Sequence, residues 1–401
     1  GSRICLAGEC DLAMATSRSV PIVNIDKDAE QPSPAGATPY AAALAHIEAI
    51  HPLVDGIPPP PPRDQKRFFG EVGSVELEWG LEARFDVADP RWLEHLAAEG
   101  YAIVSGAMGA DELLAARSGL WDALEASPAG IDRSNPGTWG DEAWPGGGRQ
   151  MVGMLLPAAT AHAPVSWQAR TAPGVRGTFE RIWGTKHLLA SFDGAFATRP
   201  LLHEGWRTVG PWFHLDQWTN YHGLHSVQGV LSFLDATEST GGLVVIPRTH
   251  RRHEEVCRTR GPVDGKPGSV NIQSNDPILR CSPKPRLVTC RAGDLLLWDS
   301  RTLHGNTPPL IENPKVQRSS QLLRAGVYIS MTPAAWASPE VLRARCDMAR
   351  RGFSTNHLPH SPLTNAARKP VEWALKAPLA AEVLALVHGG LLPLDSMSAK
   401  L

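Results

Sequence analysis

The stretch PWFHLDQWTNYHGLHSVQG, residues 211–229, places three histidines near one aspartate. In an extended strand, residues i and i+2 lie on the same face, so His214 and Asp216 would point to one side. An imidazole beside a carboxylate supplies two ligands of a 2-His-1-carboxylate triad, which holds Fe(II) and leaves coordination positions open. The other histidines of the stretch, His222 and His225, follow turn-forming residues. We interpret them as loop or strand-entry residues near the site.

A complete triad needs a second histidine on another strand, and His304 is the candidate. It follows an apolar strand predicted at Leu295 to Trp298, which a turn at Arg291 to Asp294 precedes. The 87 residues that separate Asp216 from His304 suffice for four or five strands of a jelly roll. We therefore predict that His214, Asp216 and His304 bind one metal ion.

Three other histidines occur in weaker contexts. His203 has no acidic residue paired with it, and His250 follows the apolar run LVVI at a predicted turn. His253 lies in the charged segment RRHEEVCRTR, which we expect to be solvated. None of the three offers the paired arrangement that His214 and Asp216 offer.

The order of the predicted elements indicates a mainly β fold with flanking α-helices. Amphipathic helices are expected at 90–99, 110–126 and 174–183. From Leu188 onward, short apolar or alternating runs separated by turns are typical of a β-sandwich or a jelly roll. These runs include SVQGVLSFL, GLVVIP, DLLLW and RAGVYISM. Helices predicted at 339–351 and 377–387 close the chain.

The domain organisation follows from these segments. Residues 1–65 are rich in alanine and proline and include five consecutive prolines at 58–62, so we expect a flexible arm. Residues 66–401 are expected to form a single domain. Its predicted parts are a helical support at about 66–187, a jelly-roll core at about 188–333 and a C-terminal helical extension at 334–401.

Composition restricts the partners and the compartment. The chain of 401 residues has a formal net charge of −2, from 39 basic and 41 acidic residues, and no basic block. We therefore expect neither nucleic-acid binding nor membrane binding. No apolar run approaches the roughly 20 residues of a membrane span, and the first residues do not resemble a signal peptide. We expect a cytoplasmic protein, or a peroxisomal one if Ala399-Lys400-Leu401 is a variant of the Ser-Lys-Leu signal.

From about Asp89 to Pro333 the chain resembles the phytanoyl-CoA dioxygenase family. The motifs that carry this resemblance are EGYAIVSG, IWGTKHLLASFDG, WFHLDQW, VQGVLSFLDATESTGGLVVIPRTH, GDLLLWDSRTLHGN and RAGVYISM. The resemblance implies a double-stranded β-helix core of the cupin-like jelly-roll type. It also implies Fe(II) bound by His214, Asp216 and His304, with 2-oxoglutarate and O2 as co-substrates. The implied activity is hydroxylation of an unactivated C–H bond of a small molecule, with decarboxylation of 2-oxoglutarate to succinate.

The resemblance also implies an arginine that binds the far carboxylate of 2-oxoglutarate. The family places it at the start of the strand after the second histidine, and Arg324 opens RAGVYISM. Arg318, which lies 14 residues after His304 in an RxS pattern, is an alternative. Gln228, a polar residue in the strand SVQGVLSFL, is expected to hydrogen-bond the co-substrate or the substrate. Weaker pocket candidates are Ser191, Asp193 and Asn306.

Two other classes of function fit the same residues less well. A cupin-like metal isomerase usually has more histidines around the metal and needs no arginine for 2-oxoglutarate. A non-catalytic jelly-roll binding protein would have no need for all three metal ligands. Asp216 argues against halogenation, since halogenases of this type lack the carboxylate ligand. The sequence indicates neither the substrate nor the oligomeric state. The pocket walls are expected from the glycine-rich loop 135–148, the helical N-terminal part and the segment FSTNHLPHSP.

Overall fold

The computed structural model describes residues 33–34, 36–50, 76–147, 149–217, 219–260, 270–273, 275–361 and 368–391. The five prolines at 58–62 and the terminal residues 399–401 lie outside the described residues, so the linker and the targeting signal stay predictions. Within the predicted arm, helix α1 (Pro39–Ile50) buries Tyr40 and Leu44 in the main core. That part of the arm is packed because its apolar side chains meet the helices of the domain.

The described residues contain ten other α-helices, and those near 90–99, 110–126, 174–183, 339–351 and 377–387 correspond to predicted ones. They are α2 (Arg91–Glu99), α3 (Ala110–Glu125), α4 (Pro157–Thr160), α5 (Pro164–Thr171), α6 (Pro173–Trp183), α7 (His253–Arg260), α8 (Ile278–Cys281), α9 (Pro314–Gln317), α10 (Pro339–Arg351) and α11 (Ala381–His388). Helix α11 begins four residues later than predicted, because Pro378 disfavours the helical conformation at Ala377. In the described part of the chain, no helix combines the length and the apolar character that a bilayer span requires.

The strands form two sheets. They are β1 (Arg84–Asp86), β2 (Tyr101–Ser105), β3 (Leu188–Ala190), β4 (Ala195–Thr198), β5 (His214–Leu215), β6 (Val227–Ser232), β7 (Gly242–Val245), β8 (Val270–Asn271), β9 (Arg286–Leu287), β10 (Leu295–Asp299), β11 (His304–Thr307) and β12 (Arg324–Pro333). The larger sheet has the order β1-β2-β10-β6-β12-β3, and β4 also pairs with β12. The smaller sheet has the order β8-β5-β11-β7-β9. The segment predicted as helical support thus also supplies β1 and β2 to the larger sheet.

Strand β10 shows how the layers are stacked. Leu295 and Leu297 belong to the cluster formed with the helices, whereas Leu296 and Trp298 pack with residues of the smaller sheet such as Val245. Alternate side chains of a strand point to opposite faces, so the larger sheet has helices on one side and the smaller sheet on the other. This arrangement confirms the predicted class, a jelly-roll core with flanking helices.

Candidate metal centre

Two neighbouring strands of the smaller sheet bring the predicted histidines together. His214 begins β5 and His304 begins β11, and the two residues are direct antiparallel partners. Their ring centroids lie 4.3 Å apart. Asp216 follows β5 two residues after His214. The pairing of β5 with β11 thus places His304 beside the two residues, His214 and Asp216, that the i, i+2 spacing brings together.

The ligand atoms of the three residues converge. His214 Nε2 lies 3.3 Å from Asp216 Oδ1, and His304 Nε2 lies 3.2 Å from Asp216 Oδ2. All three ligand atoms lie within 4.8 Å of one another. Both imidazoles are buried and the carboxylate is half-buried. Two nitrogen donors and one carboxylate in this arrangement fit a non-haem Fe(II) ion and leave room for further ligands.

Hydrogen bonds on the outer side of each ring determine which nitrogen faces the centre. His214 Nδ1 lies 3.1 Å from the carbonyl oxygen of Trp212, and His304 Nδ1 lies 3.0 Å from that of Thr302. A carbonyl oxygen only accepts, so each Nδ1 carries the proton. Each Nε2 then directs its lone pair toward the centre, as in metal-binding histidines whose second nitrogen is held by the protein.

The electrostatics of the centre favour the protonation states that bind metal. Burial alone would raise the pKa of the Asp216 carboxyl, but the imidazoles of His357 and His214 outweigh this and hold the pKa well below its usual range. Burial, together with the neighbouring His214, lowers the pKa of the His304 imidazole. An ionised carboxylate and a neutral imidazole are the forms that act as ligands.

A cavity of about 380 Å³ opens from this centre. The three candidate ligands line it, and so do Gln228 and Arg324. Gln228 lies buried in β6 of the larger sheet, so both sheets contribute to the wall. Much of the remaining lining is apolar, including Val152, Met154, Leu155, Phe196, Val230, Leu243, Leu296 and Trp298. One cavity therefore contains all five residues that the sequence analysis assigned to the site.

Arg324 is a buried cation without an acidic partner. It is the first residue of β12, is 5% exposed, and donates from Nη1 to Asn306 Oδ1 at 3.2 Å. Its Nε has no hydrogen-bond partner, and no ion pair forms between Arg324 and a described carboxylate. The hydroxyl groups of Thr198 and Thr208 are also buried without partners. Burial lowers the pKa of Arg324 to about 10. These features suit an anionic ligand that enters from the cavity.

The alternative arginine is placed differently. Arg318 ends helix α9, is exposed, and does not line the cavity. Of the weaker candidates, Asp193 and Asn306 line the cavity, whereas Ser191 does not. Ser191 instead accepts a hydrogen bond from the backbone of Ser330.

Apart from His214 and His304, the histidines weighed in the sequence (His203, His222, His225, His250 and His253) do not line the cavity. His222 is half-exposed with Nδ1 3.7 Å from Glu254, and the buried His225 packs edge-on against Tyr221. The expectation that His253 is solvated is wrong, since its side chain is buried. The reason is that helix α7 packs its apolar face into the core of the smaller sheet.

One residue at the centre was not singled out in the sequence. His357 follows α10, lines the cavity, and places Nδ1 3.0 Å from Asp193 Oδ2 and Nε2 3.9 Å from Asp216 Oδ2. Burial alone would lower the pKa of His357, but Asp193 and Asp216 raise it to about 10. The segment FSTNHLPHSP was expected to form a pocket wall, but no local pattern marks His357 within it. Its contact with Asp193 spans 164 residues of sequence.

The predicted pocket walls are confirmed only in part. Among the described residues of the glycine-rich loop 135–148, none lines the cavity, and the lining begins directly after it at Arg149. The helical N-terminal part (about 66–187) contributes Arg149, Val152, Met154, Leu155 and Pro157, and the C-terminal segment contributes His357.

The fold and the converging ligands define the class as a jelly-roll protein with a candidate 2-His-1-carboxylate centre. The family model described as phytanoyl-CoA dioxygenase matches residues 85–308, and the chain belongs to this family. Members use Fe(II), 2-oxoglutarate and O2, so the protein is an enzyme of the Fe(II)- and 2-oxoglutarate-dependent class.

The individual proteins that resemble this chain share less than 30% sequence identity with it. Ava biosynthesis cluster protein O of Aspergillus versicolor is 27% identical over 285 residues, which cover 68% of this chain and 87% of that protein. Among solved structures, the α-ketoglutarate-dependent carbocyclase SnoK from nogalamycin biosynthesis is 15% identical with a TM-score of 0.41, covering 63% of this chain and 88% of that one. HygX from Streptomyces hygroscopicus, solved with nickel and 2-oxoglutarate bound, is 15% identical with a TM-score of 0.36, covering 61% and 87%.

Proposed function

We propose that this enzyme hydroxylates an unactivated C–H bond of a small molecule, with decarboxylation of 2-oxoglutarate to succinate. One observation carries the proposal: the converging triad shares a cavity with a buried arginine that forms no ion pair with any described carboxylate. A metal site alone would fit an isomerase. The additional anion-binding site at Arg324 favours a 2-oxoglutarate-dependent reaction.

The residues of the cavity have distinct roles in this proposal. His214, Asp216 and His304 would hold the iron. The bound iron would activate O2, with 2-oxoglutarate as the co-substrate that is oxidised. Arg324 would bind the far carboxylate of 2-oxoglutarate through its planar guanidinium, which suits bidentate binding of a carboxylate. Asn306 accepts a hydrogen bond from Arg324 and so orients it.

The walls of the cavity serve the same reaction. Gln228 presents a buried amide that is able to hydrogen-bond the co-substrate or the substrate. Leu243, Leu296 and Trp298 line the cavity with apolar surface, which limits the access of water and protects a reactive centre. The protein's contribution is thus to hold the ligands, position the C–H bond and exclude solvent.

We also propose one dioxygenase domain from residue 66 to the C-terminus. Elements from β1 to α11 contribute to the two sheets or to the helices that cover them. Helix α1 packs in the same core, which supports an extension of this domain to Pro39.

The first test is an anaerobic titration of the protein with Fe(II) and 2-oxoglutarate, followed by visible absorption. We expect a weak charge-transfer band that needs both additions. The band should be absent in His304→Ala, and Arg324→Ala should need much more 2-oxoglutarate to reach it. Arg318→Ala is the matched control and should behave like the wild type. If Arg318→Ala loses affinity and Arg324→Ala does not, the roles of the two arginines are reversed. If the wild type shows no band, the proposal fails.

A second test separates an oxygenase from a metal isomerase without knowledge of the substrate. Turnover of 2-oxoglutarate under ¹⁸O₂ should release CO2 and place one labelled oxygen atom in succinate. An isomerase would consume no 2-oxoglutarate. Once a substrate is found, its product should carry the second labelled atom, and a desaturated or cyclised product without it would refute hydroxylation.

A further inference from the structure

The cavity contains one more cation than the proposed reaction uses. Its charged side chains are Arg149, Arg324, His357, Asp193 and Asp216. On the proposed function, Asp216 binds iron and Arg324 binds 2-oxoglutarate. His357 and Asp193 form an ion pair with each other. Among these side chains, the guanidinium of Arg149 is then the one without a counter-charge from a described residue.

The surroundings of Arg149 do not neutralise it. The residue is half-buried, its backbone hydrogen-bonds within the loop, and no described residue forms a side-chain hydrogen bond or an ion pair with its guanidinium. Burial and the nearby Arg368 both lower the pKa of Arg149. A second arginine close to a half-buried one adds repulsion, which an anion between them would relieve.

The second arginine is Arg368, which lies close enough to Arg149 to interact with it electrostatically. Arg368 forms a β-bridge with Ser354, three residues before His357, so the C-terminal segment brings it toward the loop that contains Arg149. Arg368 is exposed and, in the described part of the chain, has no ion pair. Arg149 therefore lines the cavity that holds the candidate metal centre and has a second arginine nearby, and neither arginine forms an ion pair with a described carboxylate.

Part of the cavity wall that follows Arg149 in the sequence is apolar. Val152, Met154 and Leu155 follow Arg149 along the chain and line the cavity, together with Phe196. A ligand that fills this cavity would have an apolar body, with an anionic group at Arg149 and its reacting carbon near the candidate metal ligands.

We propose that the substrate is an organic oxyanion, in the simplest case a carboxylate, and that Arg149 binds its charged group. Arg368, which is exposed and interacts electrostatically with Arg149, adds positive charge nearby. This inference rests on the proposed function and extends it to the class of substrate. Arg149 lies in a loop outside the strands β5 and β11 that carry the candidate metal ligands. Its role in this proposal is to select the substrate.

The test uses two probes that share a body and differ in charge, 3-phenylpropanoate and 3-phenylpropanamide. Binding is measured by calorimetry on the full chain loaded with Co(II) and 2-oxoglutarate, so the readout does not depend on turnover. We expect the acid to bind about tenfold more tightly than the amide, because a charge-assisted hydrogen bond is roughly twice as strong as a neutral one. Arg149→Gln should reduce the ratio to about twofold or less.

Two variants control this experiment. Arg149→Lys keeps the charge and should retain most of the preference for the acid, which separates loss of charge from loss of folding. Arg318→Gln removes an exposed arginine outside the cavity and should leave the ratio unchanged. The inference is overturned if the wild type does not bind the acid, if it binds both probes equally, or if Arg149→Gln keeps the full preference.

The inference and the proposed function fail in different ways. If the wild type gives no charge-transfer band with Fe(II) and 2-oxoglutarate, the proposed function has failed. The affinities of the two probes are then compared for the metal-free Arg324→Met variant, in which the proposed 2-oxoglutarate-binding site has no positive charge. If Arg324→Met prefers the acid and the added Arg149→Gln removes this preference, the anion site at Arg149 is supported independently. If Arg324→Met shows no preference for the acid, the proposed anion site is refuted.

Discussion

Replacing Arg324 by methionine should stabilise the metal-free protein while it abolishes tight binding of 2-oxoglutarate. Burial brings the pKa of Arg324 well below its ordinary value, to about 10. At about 1.4 kcal/mol for each pKa unit, the buried charge costs roughly 3 kcal/mol. Methionine is of similar length and uncharged. The lost hydrogen bond to Asn306 offsets about 1 kcal/mol, so the free energy of unfolding should rise by about 2 kcal/mol.

Urea unfolding of the metal-free protein, followed by circular dichroism, measures the first effect. Arg318→Met is the matched control, and its exposed position should keep the change within about 0.5 kcal/mol. The second effect is measured by 2-oxoglutarate titration in the presence of Fe(II). Removal of a buried charge partner typically costs about 2–5 kcal/mol of binding free energy. The reasoning is refuted if Arg324→Met unfolds at lower urea than the wild type, or if its affinity for 2-oxoglutarate is unchanged.

Acid sensitivity and backbone packing provide two further predictions. Burial lowers the pKa of both His162 and His360 to about 3, so their contribution to stability is present above about pH 6.5 and is lost as the pH falls. Each should cost about 1.4 kcal/mol per pH unit between pH 6 and 4, and equal urea midpoints at pH 7 and pH 5 would contradict this. Gly326→Ala should destabilise the protein by more than about 2 kcal/mol, because the added Cβ would lie 2.3 Å from the carbonyl oxygen of Leu231. Gly177→Ala in helix α6 meets no atom within 4 Å and should leave thermal stability equal or higher, so similar melting temperatures for the two variants would refute the packing argument.

The candidate metal ligands could be recognised in the sequence because their arrangement is largely local. Two residues at i and i+2 in a strand share a face whatever the rest of the chain does, so His214 and Asp216 form a pair from the sequence alone. His304 required only that a second strand follow at a suitable distance. The apolar runs of β10 and β12 likewise predict buried strands, and nearly all residues of both strands are buried in the structure.

Sequence reasoning favoured Arg324, which opens a predicted strand, but left Arg318 as an alternative. Arg324 and Arg318 both follow His304 at plausible distances, and both have the right chemistry. The difference is burial: Arg324 begins a central strand that faces the cavity, whereas Arg318 ends a short helix at the surface. Burial depends on how the segment 308–323 packs against the rest of the chain, which no local pattern specifies.

The sequence by itself therefore determined the fold class, the family and the three candidate metal ligands, because these depend on strand alternation and on ordered motifs. Only the tertiary structure brought His357 to Asp193 and placed Arg149 in the wall of the same cavity. Such contacts join residues far apart in the chain, and their distances follow from the packing of whole elements. For that reason the metal centre could be predicted from the sequence, while the cavity that would select the substrate could not.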